Sequence, residues 1–140
     1  MASRAVAEGD HVLSDRLTRN ATSRYHRSPS NGETMIQRQR IRAFVAAVVR
    51  RFQPERVVLF GSYAYGRPHA DSDVDLLVVM RHRGAGLGQA ARIRQVIRSG
   101  FPMDLIVRSP ANIRKRMKMG DSFIREILEK GQVLYEVRSA

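Results

Sequence analysis

At 140 residues, 43% hydrophobic and 27% charged, the chain has the size of one domain, with apolar material for a single core and too little for two. It has no cysteine, which excludes disulfides and thiolate metal sites, and no run of about 18 apolar residues or secretory-type N-terminus, so no membrane contact and a cytoplasmic location are expected. The 25 Lys and Arg residues against 13 Asp and Glu give a net charge of +12, which draws polyanions: nucleotides, nucleic acid or an acidic protein.

Residues 1–34 hold few large apolar side chains and close with Ser28-Pro29-Ser30-Asn31-Gly32. They are expected to form a mobile extension, with at most a short helix near 10–19, ahead of a folded domain over 35–140. From Met35 onward Ile41, Phe44, Val45, Val48, Val49 and Phe52 recur at helical spacing, arginines 38, 40, 42, 50 and 51 fill the polar positions, and Pro54 ends the helix. Val57-Val58-Leu59-Phe60 is wholly apolar, as suits a strand covered on both faces, and it stops at Gly61-Ser62. A loop with Gly66, Pro68 and Asp71 leads to a second such strand over 74–79. The glycines at 84, 86 and 88 lack the order of a phosphate loop and read as a flexible connection to a helix over 87–99. A third strand over 103–107 follows. Ser109-Pro110 then starts a basic helix ended by Gly120, and Asp121 caps a last helix with Phe123, Ile124, Ile127 and Leu128 as its apolar stripe. Gly131 stops that helix, and 132–136 reads as an edge strand. The alternation of helix and strand predicts an α/β fold.

Chemistry concentrates in Gly61-Ser62 and in Asp73-Val74-Asp75. A glycine directly after a buried strand permits a tight turn and close backbone approach; a serine hydroxyl and backbone N–H groups at a helix start then suit a triphosphate. Asp73 and Asp75, two apart on a strand, leave from the same face and can converge on a cation. Asp104 begins another strand of the same unit and can add a third carboxylate. Three carboxylates can hold two magnesium ions about 3.5–4 Å apart. An Asp-Ser-Asp run is by itself an ordinary turn. Asp75 and Asp104, however, stand in otherwise apolar strands, where an unpaired carboxylate costs several kcal/mol. The histidines 11, 26, 69 and 82 have no ligand spacing.

Gly61-Ser62, ten residues, then Asp73-Val74-Asp75 resembles the signature of the polymerase-β-type nucleotidyltransferase superfamily, and the chain is similar to its minimal nucleotidyltransferases over roughly residues 36–137. The resemblance implies an α/β (α+β) nucleotidyltransferase fold, a small mixed sheet flanked by helices in a single domain. It implies a Gly61-Ser62 turn that grips the nucleoside triphosphate, and catalytic carboxylates Asp73, Asp75 and Asp104 that bind magnesium. It also implies ATP as substrate and, in many minimal members, a role as the antitoxin of a HEPN-domain toxin by transfer of AMP to a toxin tyrosine. About one hundred residues leave no room for an acceptor-holding domain, so a partner is expected to bring the acceptor hydroxyl.

Two other readings stay open: a non-catalytic antitoxin or binding module that covers its partner, and transfer to a small molecule or an RNA end. The arginines of the first and third helices, with Arg114-Lys115-Arg116-Met117-Lys118, can form a surface for RNA, triphosphate or toxin, or can simply keep a small protein soluble. Without interleaved aromatics, nucleic-acid binding is the less favoured partner class.

Overall fold

The computed structural model describes residues 36–138; the expected N-terminal extension and its short helix lie outside the described residues. The elements in chain order are α1 (Arg38–Phe52), β1 (Arg56–Phe60), α2 (Ser62–Tyr65), β2 (Val74–Val79), α3 (Gly86–Val96), β3 (Met103–Arg108), α4 (Pro110–Lys118), α5 (Ser122–Lys130) and β4 (Gln132–Glu136). The expected α/β fold is present as a four-stranded mixed sheet in the order β3-β2-β1-β4. β1 lies antiparallel to β2 and β4, and β2 lies parallel to β3.

The central strands are apolar throughout because both faces are covered. Val57 and Leu59 of β1 join Val74, Leu76 and Val78 of β2 and Met103, Leu105 and Val107 of β3 in one core, under Ile41, Phe44, Val45, Val48 and Val49 of α1 and Ala90 and Ile93 of α3. The alternate residues Val58, Phe60, Leu77 and Val79 form a second core with Ile113 of α4 and Ile124 and Ile127 of α5, and Ile106 packs against it. This is the period-two alternation of a strand used twice.

Local chemistry fixes the helix ends. Gln53, at φ 50°, donates its N–H to the Val49 carbonyl and stops α1 ahead of Pro54. Ser109 accepts from the Asn112 N–H with Pro110 in the first turn of α4, and Asp121 Oδ1 accepts from the Ile124 N–H at 3.1 Å to start α5. Arg116 holds that cap from the preceding helix, 3.5 Å from Asp121 Oδ2. Gly86 is the first residue of α3 rather than part of a flexible connection: a Cβ there would run into the Val107 carbonyl, so the bare Cα is what lets the helix start lie against β3.

Some of the arginines expected on polar surfaces also bond to the backbone of the fold. Arg40 donates to the Gly100 carbonyl at 2.7 Å and lies over the Phe101 ring, and Arg94 donates to the Met103 carbonyl at 2.9 Å. Arg38 is buried. No helix among the described residues is long and apolar enough to cross a membrane.

Leu77 joins the second core at 0% exposure between Val58 on one neighbouring strand and Ile106 on the other. Leu77→Ala is expected to cost about 2–5 kcal/mol of stability, read as a lower urea midpoint with an unchanged slope.

Candidate active site

Strand register assembles the site. β1 ends at Phe60, which is paired with Asp75, and Asp75 is paired with Asp104, so the three residues form one row across β1, β2 and β3. Paired residues share a face, and this row belongs to the face of Val58, Leu77 and Ile106. The Val74 N–H donates to the Pro102 carbonyl at 3.1 Å, which starts the parallel pairing just ahead of the two carboxylates. Asp73 stands two residues before Asp75, so it sits on the same side in extended chain. It is exposed, as is Asp104, whereas Asp75 is half-buried. The turn before Asp73 is closed by Ser72, whose Oγ accepts from the His69 N–H while its own N–H donates to the His69 carbonyl.

Gly61 closes the same end of the sheet. Its backbone, at φ 75° and ψ −161°, lies in a region open essentially to glycine alone. A Cβ there would also collide with Asp75 Oδ2. The bare Cα thus lets the turn and the carboxylate touch. Ser62 then opens α2, whose first turn is tied by the Ala64 and Tyr65 N–H groups donating to the Gly61 carbonyl at 3.0 and 3.1 Å. The N–H groups at the start of such a turn have no acceptor within the helix and point outward to a ligand.

A one-turn helix does not hold itself, and distant residues hold this one. The buried Arg38 donates Nη2 to the Tyr63 carbonyl at 2.6 Å, and Gln132 Nε2 donates to the Ala64 carbonyl at 2.9 Å. The Ile36 N–H donates to the Tyr63 hydroxyl at 3.0 Å. Tyr63 is therefore a buried anchor of the turn, and α1 and β4 both position it. Nothing in the residue pattern of α1 separates Arg38 from its solvent-facing neighbours, so this support is visible only once the chain is folded.

Burial raises the Asp75 carboxyl from the usual 3.8 to about 6, with the charges of Asp104 and Asp73 adding to the effect. All three donors are hard oxygens, and a divalent cation among them would offset the like charges and favour the ionised Asp75, so the set suits a magnesium-type ion. Among the described residues no three acidic or histidine side chains close into a preformed cage. Mutual repulsion of three carboxylates works against such closure.

Comparison with known proteins identifies the family of the domain. Residues 41–134 match the family described as nucleotidyltransferase domain. A candidate protein adenylyltransferase of Methanocaldococcus jannaschii, MJ0604, is 30% identical over 105 residues, which cover 72% of this chain and all of that protein. The crystal structure of a candidate nucleotidyltransferase from Sulfolobus solfataricus superposes with a TM-score of 0.50 at 20% identity, covering 70% of this chain and 78% of the other, a likeness of fold.

Two outcomes are expected. Because the folded carboxyl of Asp75 binds its proton more tightly than the unfolded one, its contribution to stability is complete below about pH 4 and is lost as pH rises through about 6. In chelator, Asp75→Asn should therefore melt above the wild type at pH 7.5, with the gap closing by about pH 4 in a series of thermal scans. Gly61→Ala displaces the turn from Asp75, and single-turnover assays should show transfer reduced about 100-fold, the usual penalty for a misplacement on the order of 1 Å.

Proposed function

The chain belongs to the nucleotidyltransferase domain family, in the polymerase-β-type superfamily, and is a nucleotidyltransferase; from that premise we propose that it transfers AMP from ATP, with magnesium, to a hydroxyl of a partner protein. The partner in this reading is a HEPN-domain toxin, the chain is its antitoxin, and both act in the cytoplasm. The observation that carries the proposal is the row of Asp75 and Asp104 in register, with Gly61 lying against Asp75. This is the juxtaposition of phosphate-binding turn and carboxylates that nucleotidyl transfer requires. The protein acceptor is supported by the relative described as a protein adenylyltransferase, whose whole length this chain matches.

Each residue then has a task. Gly61 and Ser62 bind phosphate oxygens through N–H groups and the Ser62 hydroxyl, with the backbone brought close because no Cβ intervenes. Asp73, Asp75 and Asp104 would hold the magnesium ions, two in this proposal, which when bound neutralise triphosphate charge and polarise the reacting oxygens. Asp104, exposed on the edge strand, takes the hydrogen of the acceptor hydroxyl as its oxygen bonds to the α-phosphorus. The bond from that phosphorus to the bridging oxygen breaks, and pyrophosphate leaves. Most of the acceleration comes from positioning and charge neutralisation.

Incubation with α-labelled ATP, magnesium and the product of the neighbouring gene, the partner in this reading, should add the mass of AMP to that protein. Asp73→Ala/Asp75→Ala should add none while still forming the complex. A stable complex with no mass gain on either protein would sink the transferase role and leave a module that neutralises by covering.

A further inference from the structure

The row that carries Asp75 and Asp104 continues into an aromatic pair. Phe60, beside Asp75 on the same face, is 8% exposed, and the Phe123 ring meets it edge-on, with centroids 5.8 Å apart and planes at 85°. Phe123 itself is 52% exposed, whereas the other four phenylalanines of the chain are buried or half-buried. The core of α5 does not need this ring, since Ile124 and Ile127 fill it. Its backbone is nonetheless fixed, since Phe123 lies between Asp121 and Ile124, which are joined by the capping bond, and Arg116 holds Asp121; the ring itself is braced by Phe60. An exposed aromatic held this firmly is a preorganised surface, and a Phe ring has only two side-chain torsions to order on binding.

Its surroundings favour one occupant. Tyr63 and Ala64 of α2 belong to the first core, so the phosphate-binding turn leads off toward that face. Phe60, with Phe123 against it, stands over the second face. The carboxylates share the face of Phe60, and the Gly61 turn lies against Asp75. A nucleotide whose α-phosphate is over Asp75 and Asp104 and whose phosphate tail is on the turn must lay its ribose and base elsewhere. Toward β3 the sheet ends, because β3 is an edge strand; toward β1 lies the aromatic pair. Phe60 is the cross-strand partner of Asp75 and Phe123 packs on Phe60, so the exposed ring is the next side chain beyond the carboxylate row.

We propose that the exposed face of Phe123 is the stacking platform for the nucleobase of the bound triphosphate, with Phe60 as its buttress. This rests on the triphosphate reading of Gly61 and the carboxylates, and deepens it by naming the residue that holds the base. Stacking on a single ring recognises the aromatic face of a base rather than its edge.

The test is calorimetric titration of the full chain, in magnesium, with two probes: ATP, and inorganic tripolyphosphate, which has the phosphates without the base. Wild type is expected to bind ATP more tightly than tripolyphosphate. Phe123→Ala should weaken ATP roughly 5- to 100-fold and leave tripolyphosphate unchanged, and Phe123→Trp should retain ATP. An equal loss for both probes, or an unchanged ATP affinity with transfer to the partner alone impaired, overturns the assignment, the latter in favour of an acceptor contact. If wild type binds neither probe, the triphosphate reading itself fails and takes the platform with it.

Discussion

The contact between the bare Cα of Gly61 and the carboxylate of Asp75 is the constraint on which the rest of the molecule depends. To make it, β1 and β2 must pair in a register that ends Phe60 opposite Asp75, and the chain must leave β1 through a backbone conformation essentially restricted to glycine. The parallel pairing of β3 then sets Asp104 beside Asp75. A carboxyl in this position is unfavourable in a strand otherwise built of valine and leucine, and burial pushes Asp75 up to about 6. The two apolar cores supply the surplus stability that lets the sheet carry it.

The turn is held by parts far from it in sequence. Arg38 at the start of α1 and Gln132 at the start of β4 donate to successive carbonyls of α2, so both ends of the folded domain close on the one-turn helix. A four-residue helix leaves most of its carbonyls unpaired, and these two side chains meet that need. The turn at Gly61-Ser62 thus comes under the control of the whole tertiary structure.

Much of this was legible in the sequence, for identifiable reasons. The four strands, α1 and the helices after β2 and β3 announce themselves through apolar runs, helical spacing and the caps at Ser109, Asp121 and Gly131. The alternation of Asp73 and Asp75 gives their shared side without any structure. What could not be read is whatever depends on which strand meets which: the order β3-β2-β1-β4, the antiparallel pairing that sets Phe60 against Asp75, and hence the place of Phe123 beside the site. Phe123 has the spacing of a core residue, and only the crossing of α5 over the sheet leaves it outside the core. Arg38 looked like solvent-facing charge, and the bonds of the exposed Arg40 and Arg94 were not foreseen, because a guanidinium reaching a backbone carbonyl has no sequence signature. Gly86 looked like flexible chain because close helix–strand approach has none either.

Charge acts on this molecule at two distances, and the signs are opposite. The chain carries +12 overall, a field that draws a polyanion from beyond contact and falls away over about 8 Å at physiological salt. Within the site the balance reverses, because burial and the charges of Asp104 and Asp73 oppose ionisation of Asp75. A free triphosphate is thus attracted to the surface and repelled at the end of the sheet. A triphosphate that arrives with a divalent cation meets no such conflict, because the cation answers the carboxylates and the N–H groups after Gly61 answer the phosphate tail. On the proposed reading, selection of the metal-bound nucleotide over the free one would follow from the spacing of three carboxylates and one glycine, with the basic surface supplying the approach.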